Sequence, residues 1–185
     1  MKRNVAALAL LTSLCACVAT GRLPEPATTA PPFDPLAFFA GATSGDGRLK
    51  IATRKPRAVT VQGMGRIGPD GVMHLEQSVS LAGKPPVQRQ WQLSRDRQGG
   101  FGGNLTDASG PVTGAMEKGR LRLRFAMKGG FRAEQILALQ ADGRTVHNVM
   151  IVRKFGLPVA RLDETITKSR AVSYTHLTLP TNREV

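Results

Sequence analysis

From Gly47 to Lys168 the chain repeats one pattern: short runs of alternating apolar and polar positions, broken by glycine-bearing turns about every ten residues. The clearest run is Arg120-Leu121-Arg122-Leu123-Arg124-Phe125-Ala126-Met127-Lys128, with apolar odd positions and mostly basic even ones. A period of two turns successive side chains to opposite faces, so this is a half-buried strand; a helix would scatter the arginines around its circumference. Met73, Leu75, Gln77, Val79 and Leu81 form a similar face opposite His74, Glu76, Ser78 and Ser80. Pro69-Asp70-Gly71, Gln98-Gly99-Gly100, Lys118-Gly119, Gly129-Gly130 and Ala141-Asp142-Gly143 each suit a hairpin connection.

The spacing predicts strands over 47–54, 57–67, 71–82, 87–95, 99–106, 111–117, 119–127, 131–140, 144–153 and 157–168. No amphipathic helical stretch interrupts them, which excludes parallel crossovers and leaves an antiparallel meander. Left open, such a sheet would expose two edges and a whole apolar face. Closure into an all-β barrel of about 8–10 strands removes both, around an interior of packed side chains or one small ligand.

A length of 185 residues fits one domain, and Gly 20 with Pro 12 argues against a helical bundle. Residues 1–16 read as a signal peptide: Lys2 and Arg3 precede an apolar run that is too short for an ordinary membrane span. Leu14-Cys15-Ala16-Cys17 places a Leu three before Cys17 and a small residue just before it, the box of a bacterial lipoprotein signal, whereas Leu14 is too large before Cys15. Cys17 is therefore expected to be the lipidated first residue of the mature chain, and its acyl chains the membrane anchor. Val18 stands where an inner-membrane retention aspartate would be, so the expected address is the outer membrane, facing the periplasm. Residues 17–35, with Pro24, Pro26, Pro31, Pro32 and Pro35, suit an extended tether, which leaves 36–170 for the barrel.

The segment Val172-Ser173-Tyr174-Thr175-His176-Leu177-Thr178-Leu179-Pro180-Thr181 resembles the translation of a transposase-derived sequencing adapter, so 171–185 is read as an artefact. The net charge of +13 lies mostly within 17–170, and in an exported lipoprotein it points to anionic lipid headgroups rather than nucleic acid. Arg120, Arg122 and Arg124 form the candidate anionic-surface contact.

Gly63-Met64-Gly65-Arg66-Ile67-Gly68 has the spacing of a dinucleotide fingerprint, but Pro69-Asp70-Gly71 makes a turn where the fingerprint needs a helix N-terminus. Its glycines read as strand bulges or barrel bends. His74 and His147 have no ligand-spaced Asp, Glu or Cys nearby, so no metal site is expected. No catalytic set emerges, and no cofactor is implied. Arg89 and Trp91 share a face with Val87 and Leu93; if that face points inward, the guanidinium needs an acid such as Glu76 or Asp107, or a ligand carboxylate or phosphate.

Phe38-Phe39-Ala40-Gly41, the acidic strand entry at Leu75-Glu76, Arg89-Gln90-Trp91, Gly99 to Gly103, Thr106-Asp107 with Gly110 and Gly114, Asn148, and Lys154-Phe155-Gly156 together resemble the bacterial family called domain of unknown function 3833. The resemblance spans most of 36–168 and implies a small envelope protein with a lipocalin-like barrel. It also implies a lipid connection, because family members are often encoded near fatty-acid-modifying enzymes. Where the family shows an aspartate pair followed by Trp, this chain has Glu134-Gln135-Ile136. The expected function is the binding or carrying of a fatty acid or other apolar ligand, with Arg89, Trp91, Glu76, Asp107 and Asn148 as candidate contacts. The alternatives are an envelope interaction protein with a packed barrel, or an enzyme acting on acyl chains with Asp107 or Glu76 as acid/base.

Overall fold

The computed structural model describes residues 21–169, so Cys17 and the segment 171–185 lie outside it. Ten strands follow in order: β1 (Gly41–Ile51), β2 (Arg57–Ile67), β3 (Met73–Leu81), β4 (Val87–Arg95), β5 (Phe101–Leu105), β6 (Val112–Glu117), β7 (Arg120–Met127), β8 (Phe131–Leu139), β9 (Thr145–Lys154) and β10 (Leu157–Lys168). Each pairs antiparallel with the next, and β1 pairs with β10 from Thr43↔Lys168 to Ile51↔Ala160, so the meander closes into a barrel. Closure satisfies the two edges an open sheet would leave unpaired. Only β1 departs from the expected span by more than a few residues: it begins at Gly41, because Gly41–Asp46 has no apolar alternation and is held by pairing to β2 (Gly41↔Gly65) and β10.

Alternation decides the core. Leu121, Leu123 and Phe125 of β7 are buried inside, with Met73 and Leu75 of β3, Trp91 and Leu93 of β4, Leu137 of β8 and Ile166 of β10. The two ends differ. At one, a five-residue helix α1 (Pro35–Phe39) buries Leu36, Phe38 and Phe39 against the core. The Asp34 carboxylate caps it by accepting the backbone N–H of Leu36 (3.0 Å) and Ala37 (3.4 Å), and Pro35 fits the first helical position. At one turn and a half, α1 is too short to show a helical period. The apparent dinucleotide fingerprint is the floor beneath it: a Cβ at Gly65 would fall on the Phe39 carbonyl oxygen. Gly68 and Gly71 belong to the β2–β3 hairpin, as expected from the turn signal.

At the other end, where β1–β2, β3–β4, β5–β6, β7–β8 and β9–β10 are joined, inward-facing positions reach solvent. Val87, on the same face as buried Trp91, is 59% exposed. We call these the closed and open ends.

The stretch expected as a free tether is a strap on the outer wall over residues 21–34. Arg161 of β10, outward by alternation yet buried, donates to the carbonyls of Gly21 (3.3 Å) and Arg22 (2.8 Å). Arg120 donates to Pro24 O and pairs with Glu25 at 3.2 Å, and Ala27 N–H donates to Leu139 O. Apart from one turn, where Ala30 N–H donates to Ala27 O at 2.9 Å, the proline-restricted extended chain leaves its carbonyls free to accept from the wall, and its docking loses little entropy.

Candidate functional site

The barrel encloses a cavity of about 70 Å³, walled mostly by Val59, Val61, Leu75, Trp91, Leu123 and Met150. Five polar side chains enter this apolar lining: Gln77 from β3, Arg89 from β4, Gln135 from β8, Asn148 from β9 and Glu164 from β10. Alternation places each between apolar neighbours of its strand, as with Gln77 between Leu75 and Val79. Near the open end, Arg89 Nη2 pairs with Asp107 Oδ2 at 2.6 Å. Trp91 Nε1 donates to Gln77 Oε1 at 2.9 Å, and its ring meets Phe125 edge-on at 5.7 Å. Among the described residues four buried side-chain polar atoms have no hydrogen-bond partner, and three of them belong to this cluster: Arg89 Nε, Gln135 Oε1 and Asn148 Oδ1. An orphaned buried polar atom costs free energy comparable to a lost hydrogen bond, so this is an interior with unmet bonding capacity.

Glu164 and Asn148 form the deepest polar contact. Asn148, 1% exposed, donates Nδ2–H to Glu164 Oε2 at 2.7 Å. Room for the acid comes from β1, where a Cβ at Gly45 would overlap Oε1 of Glu164. Burial pushes the Glu164 carboxyl above its ordinary range; the Asn148 hydrogen bond and the Arg89 charge oppose this without reversing it, and Asp46 adds to it. The raised affinity for a proton and the orphaned Asn148 oxygen are chemically matched, because a protonated carboxyl carries the O–H donor that Oδ1 lacks.

Glu164→Gln is therefore expected to raise the melting temperature at neutral pH. In acid, both folded and unfolded states of the parent hold the proton, and the two proteins should melt alike. As pH rises through 4.5 the unfolded carboxyl ionises while the folded one resists, so the parent loses stability until its raised pKa is passed. Melts across pH 4 to 8 check this; a difference independent of pH would show that burial does not disfavour the Glu164 charge.

Of the residues expected at the ligand site, Arg89, Trp91 and Asn148 line the cavity and Asp107 stands at its rim. Glu76 does not belong with them. It is exposed on the outer wall, opposite Gln90, because Leu75 and Gln77 of the same strand face inward. Of the two acids considered as alternatives for acyl-chain chemistry, Glu76 thus stands outside the wall and Asp107 is held by Arg89. Sequence reasoning missed Glu164 and Gln135 as cavity residues. The signal was present, since Glu164 alternates with Leu162 and Ile166, and Gln135 with Ala133 and Leu137.

Arg120, Arg122 and Arg124 face outward as expected, but carboxylates meet them there. Arg122 Nη1 bonds Glu134 at 2.8 Å, while its Nε lies 2.9 Å from Glu117 without hydrogen-bond alignment. Arg124 lies 3.3 Å from Glu134 and 3.6 Å from Glu117, and Arg153 also reaches Glu134. Burial pushes the Glu134 carboxyl up, yet Arg122, with Arg153, outweighs it and holds the group below its ordinary range. Of the Glu134-Gln135-Ile136 departure, Glu134 thus serves the outer wall and Gln135 the cavity. His74 and His147 are exposed outside, and among the described residues no cluster of His, Cys, Asp or Glu could hold a metal ion.

The barrel is similar to solved structures at low sequence identity. The S-type phycobiliprotein lyase CPES from Guillardia theta superposes with a TM-score of 0.59 at 10% identity, covering 74% of this chain and 91% of that one. A protein of unknown function from the DUF3598 family of Nostoc punctiforme PCC 73102 superposes with a TM-score of 0.54 at 11% identity, covering 76% of this chain and 51% of that one. These likenesses establish a shared fold. No protein of curated function matches the sequence. The family model for DUF3833, proteins of unknown function, matches residues 11–168, and the chain belongs to that family.

Proposed function

We propose that this protein is a lipoprotein of the outer membrane, anchored through Cys17, whose barrel holds a slender apolar molecule with a polar head on the periplasmic side. The observation that carries this reading is the Arg89 guanidinium at the open end of an apolar barrel, its Nε without a partner, above the unmet acceptors of Gln135 and Asn148. A head group that accepts from Arg89 and donates its one O–H to Gln135, such as a carboxylic acid or an alcohol, meets two of them and a protonated Glu164 meets Asn148, with Trp91 as an apolar wall. The fold is shared with a phycobiliprotein lyase, so barrels of this design serve proteins that act on other molecules.

A second reading has its own observation. About 70 Å³ is small beside the 300–1,000 Å³ typical of ligand pockets, which favours a packed barrel acting through its surface. A ligand must then be narrow or must displace side chains.

Titration with fatty acids separates the two. Under the binding reading Trp91 fluorescence responds, and Arg89→Met weakens affinity about ten- to a hundredfold, the worth of a charged hydrogen bond, while the protein stays folded. A lipid seen by native mass spectrometry of protein extracted from its own membrane supports the same conclusion. No fluorescence response and a reproducibly empty barrel assign the polar cluster a structural role.

A further inference from the structure

The two ends of the barrel differ in charge. Turns at the closed end carry Asp70, Asp96 and Asp142 against Arg97, Lys118 and Arg144. Turns at the open end carry Arg54, Lys55, Lys84 and Lys128, all exposed, against Asp107, whose charge is already met by Arg89.

The open end also displays apolar side chains. Phe155 is 91% exposed, Val87 59% and Leu157 53%. Phe155 has φ 51, the left-handed region that a bulky residue rarely adopts, and Gly156 follows at φ 81. The turn thus projects an aromatic ring from the tip of β9–β10, with Lys154 Nζ 5.6 Å from its centroid. Cations surrounding protruding apolar groups match the interface of an anionic bilayer, where the charges meet headgroups and the ring enters the acyl boundary. A nucleic-acid surface would use the charges but leave Val87 and Leu157 without a role.

The chain path agrees. Arg161, which holds Gly21 and Arg22, pairs with Lys50 near the open end of β1 and β10. Four peptide links join Cys17 to Gly21 and span at most about 14 Å.

We propose that the open end is a docking surface for an anionic lipid bilayer, with Arg54, Lys55, Lys84 and Lys128 on the headgroups and Phe155 inserted between them. The basic stripe of β7 is not this surface, because Glu25, Glu117 and Glu134 neutralise it. Docking in this orientation turns the barrel mouth toward the membrane; if the cavity reading above holds, an apolar ligand enters without crossing bulk water.

The test uses the mature chain from residue 17 carrying Cys17→Ser, so that neither an acyl anchor nor the apolar leader contributes, floated with vesicles of phosphatidylcholine alone or mixed in equal parts with phosphatidylglycerol. Binding is expected to the anionic vesicles only and to fall with salt. Each basic side chain near an anionic surface contributes about fivefold, so combined Lys55→Gln, Lys84→Gln and Lys128→Gln should lower affinity about a hundredfold. Phe155→Ser should lower it several-fold, while Arg97→Gln with Lys118→Gln at the closed end should change nothing. All these positions are exposed, and unchanged melting temperatures verify the fold. Equal losses from the two ends, equal binding to neutral vesicles, or no binding to anionic vesicles would overturn the proposal, as would tight binding to single-stranded DNA that is indifferent to Phe155. Each outcome is independent of whether the cavity takes a fatty acid.

Discussion

Phe101→Ala is expected to destabilise the barrel by about 3–5 kcal/mol, the cost of emptying a fully buried aromatic site. Phe101 is 1% exposed and among the largest fully buried side chains. It stands on β5, a strand of five residues, and the Arg95 guanidinium lies 5.1 Å from its ring centroid. Its cross-strand neighbour is Gly114, which has no side chain to refill the space. The damage falls on the weakest part of the wall, because β5 and β6 share three paired positions, Phe101↔Gly114 to Gly103↔Val112. Urea titration should show the lost stability, and hydrogen exchange should show amides of β5 and β6 opening before those of β9 and β10. A loss below about 1 kcal/mol would mean that the site collapses freely and that β5 adds little to closure.

Cys17→Ser is expected to move the protein wholly from the membrane fraction to the soluble fraction at high salt, whereas Cys15→Ser should leave it anchored. No helix among the described residues is long and apolar enough to cross a membrane, the outer wall carries exposed Glu76 and Arg124, and on the lipoprotein reading the acyl chains of Cys17 are the anchor. Three acyl chains at about 0.8 kcal/mol per buried CH₂ hold a protein stably, and no surface charge does so once salt screens it. Fractionation at low and high salt separates the anchor from the basic open end. Continued sedimentation of the Cys17→Ser variant at high salt would refute the lipoprotein assignment.

Much of the fold was legible because period-two alternation is a local property. The run Arg120 to Met127 specifies by itself which side chains enter the barrel, and the same rule placed Gln77 inside and Glu76 outside. Naming Glu76 beside Asp107 as a partner for Arg89 set that rule aside, and of the two the structure pairs Arg89 with Asp107. Glu164, Gln135 and the helix α1 were harder to read, the acid and amide because polar residues in apolar runs pass for solvent-facing ones, the helix because five residues show no period.

Alone, the sequence determined the strand count, the hairpin turns, the faces of β3, β4 and β7, and the rejection of the glycine fingerprint. Only the tertiary structure decided that Asn148 and Glu164 meet, that β1 begins at Gly41, that residues 21–34 strap the wall and that one end is plugged while the other is open and basic. The reason is range. Alternation follows from one strand's own backbone geometry, whereas the Thr43↔Lys168 seam and the strap's bonds to Arg120 and Arg161 depend on contacts between segments far apart in the chain.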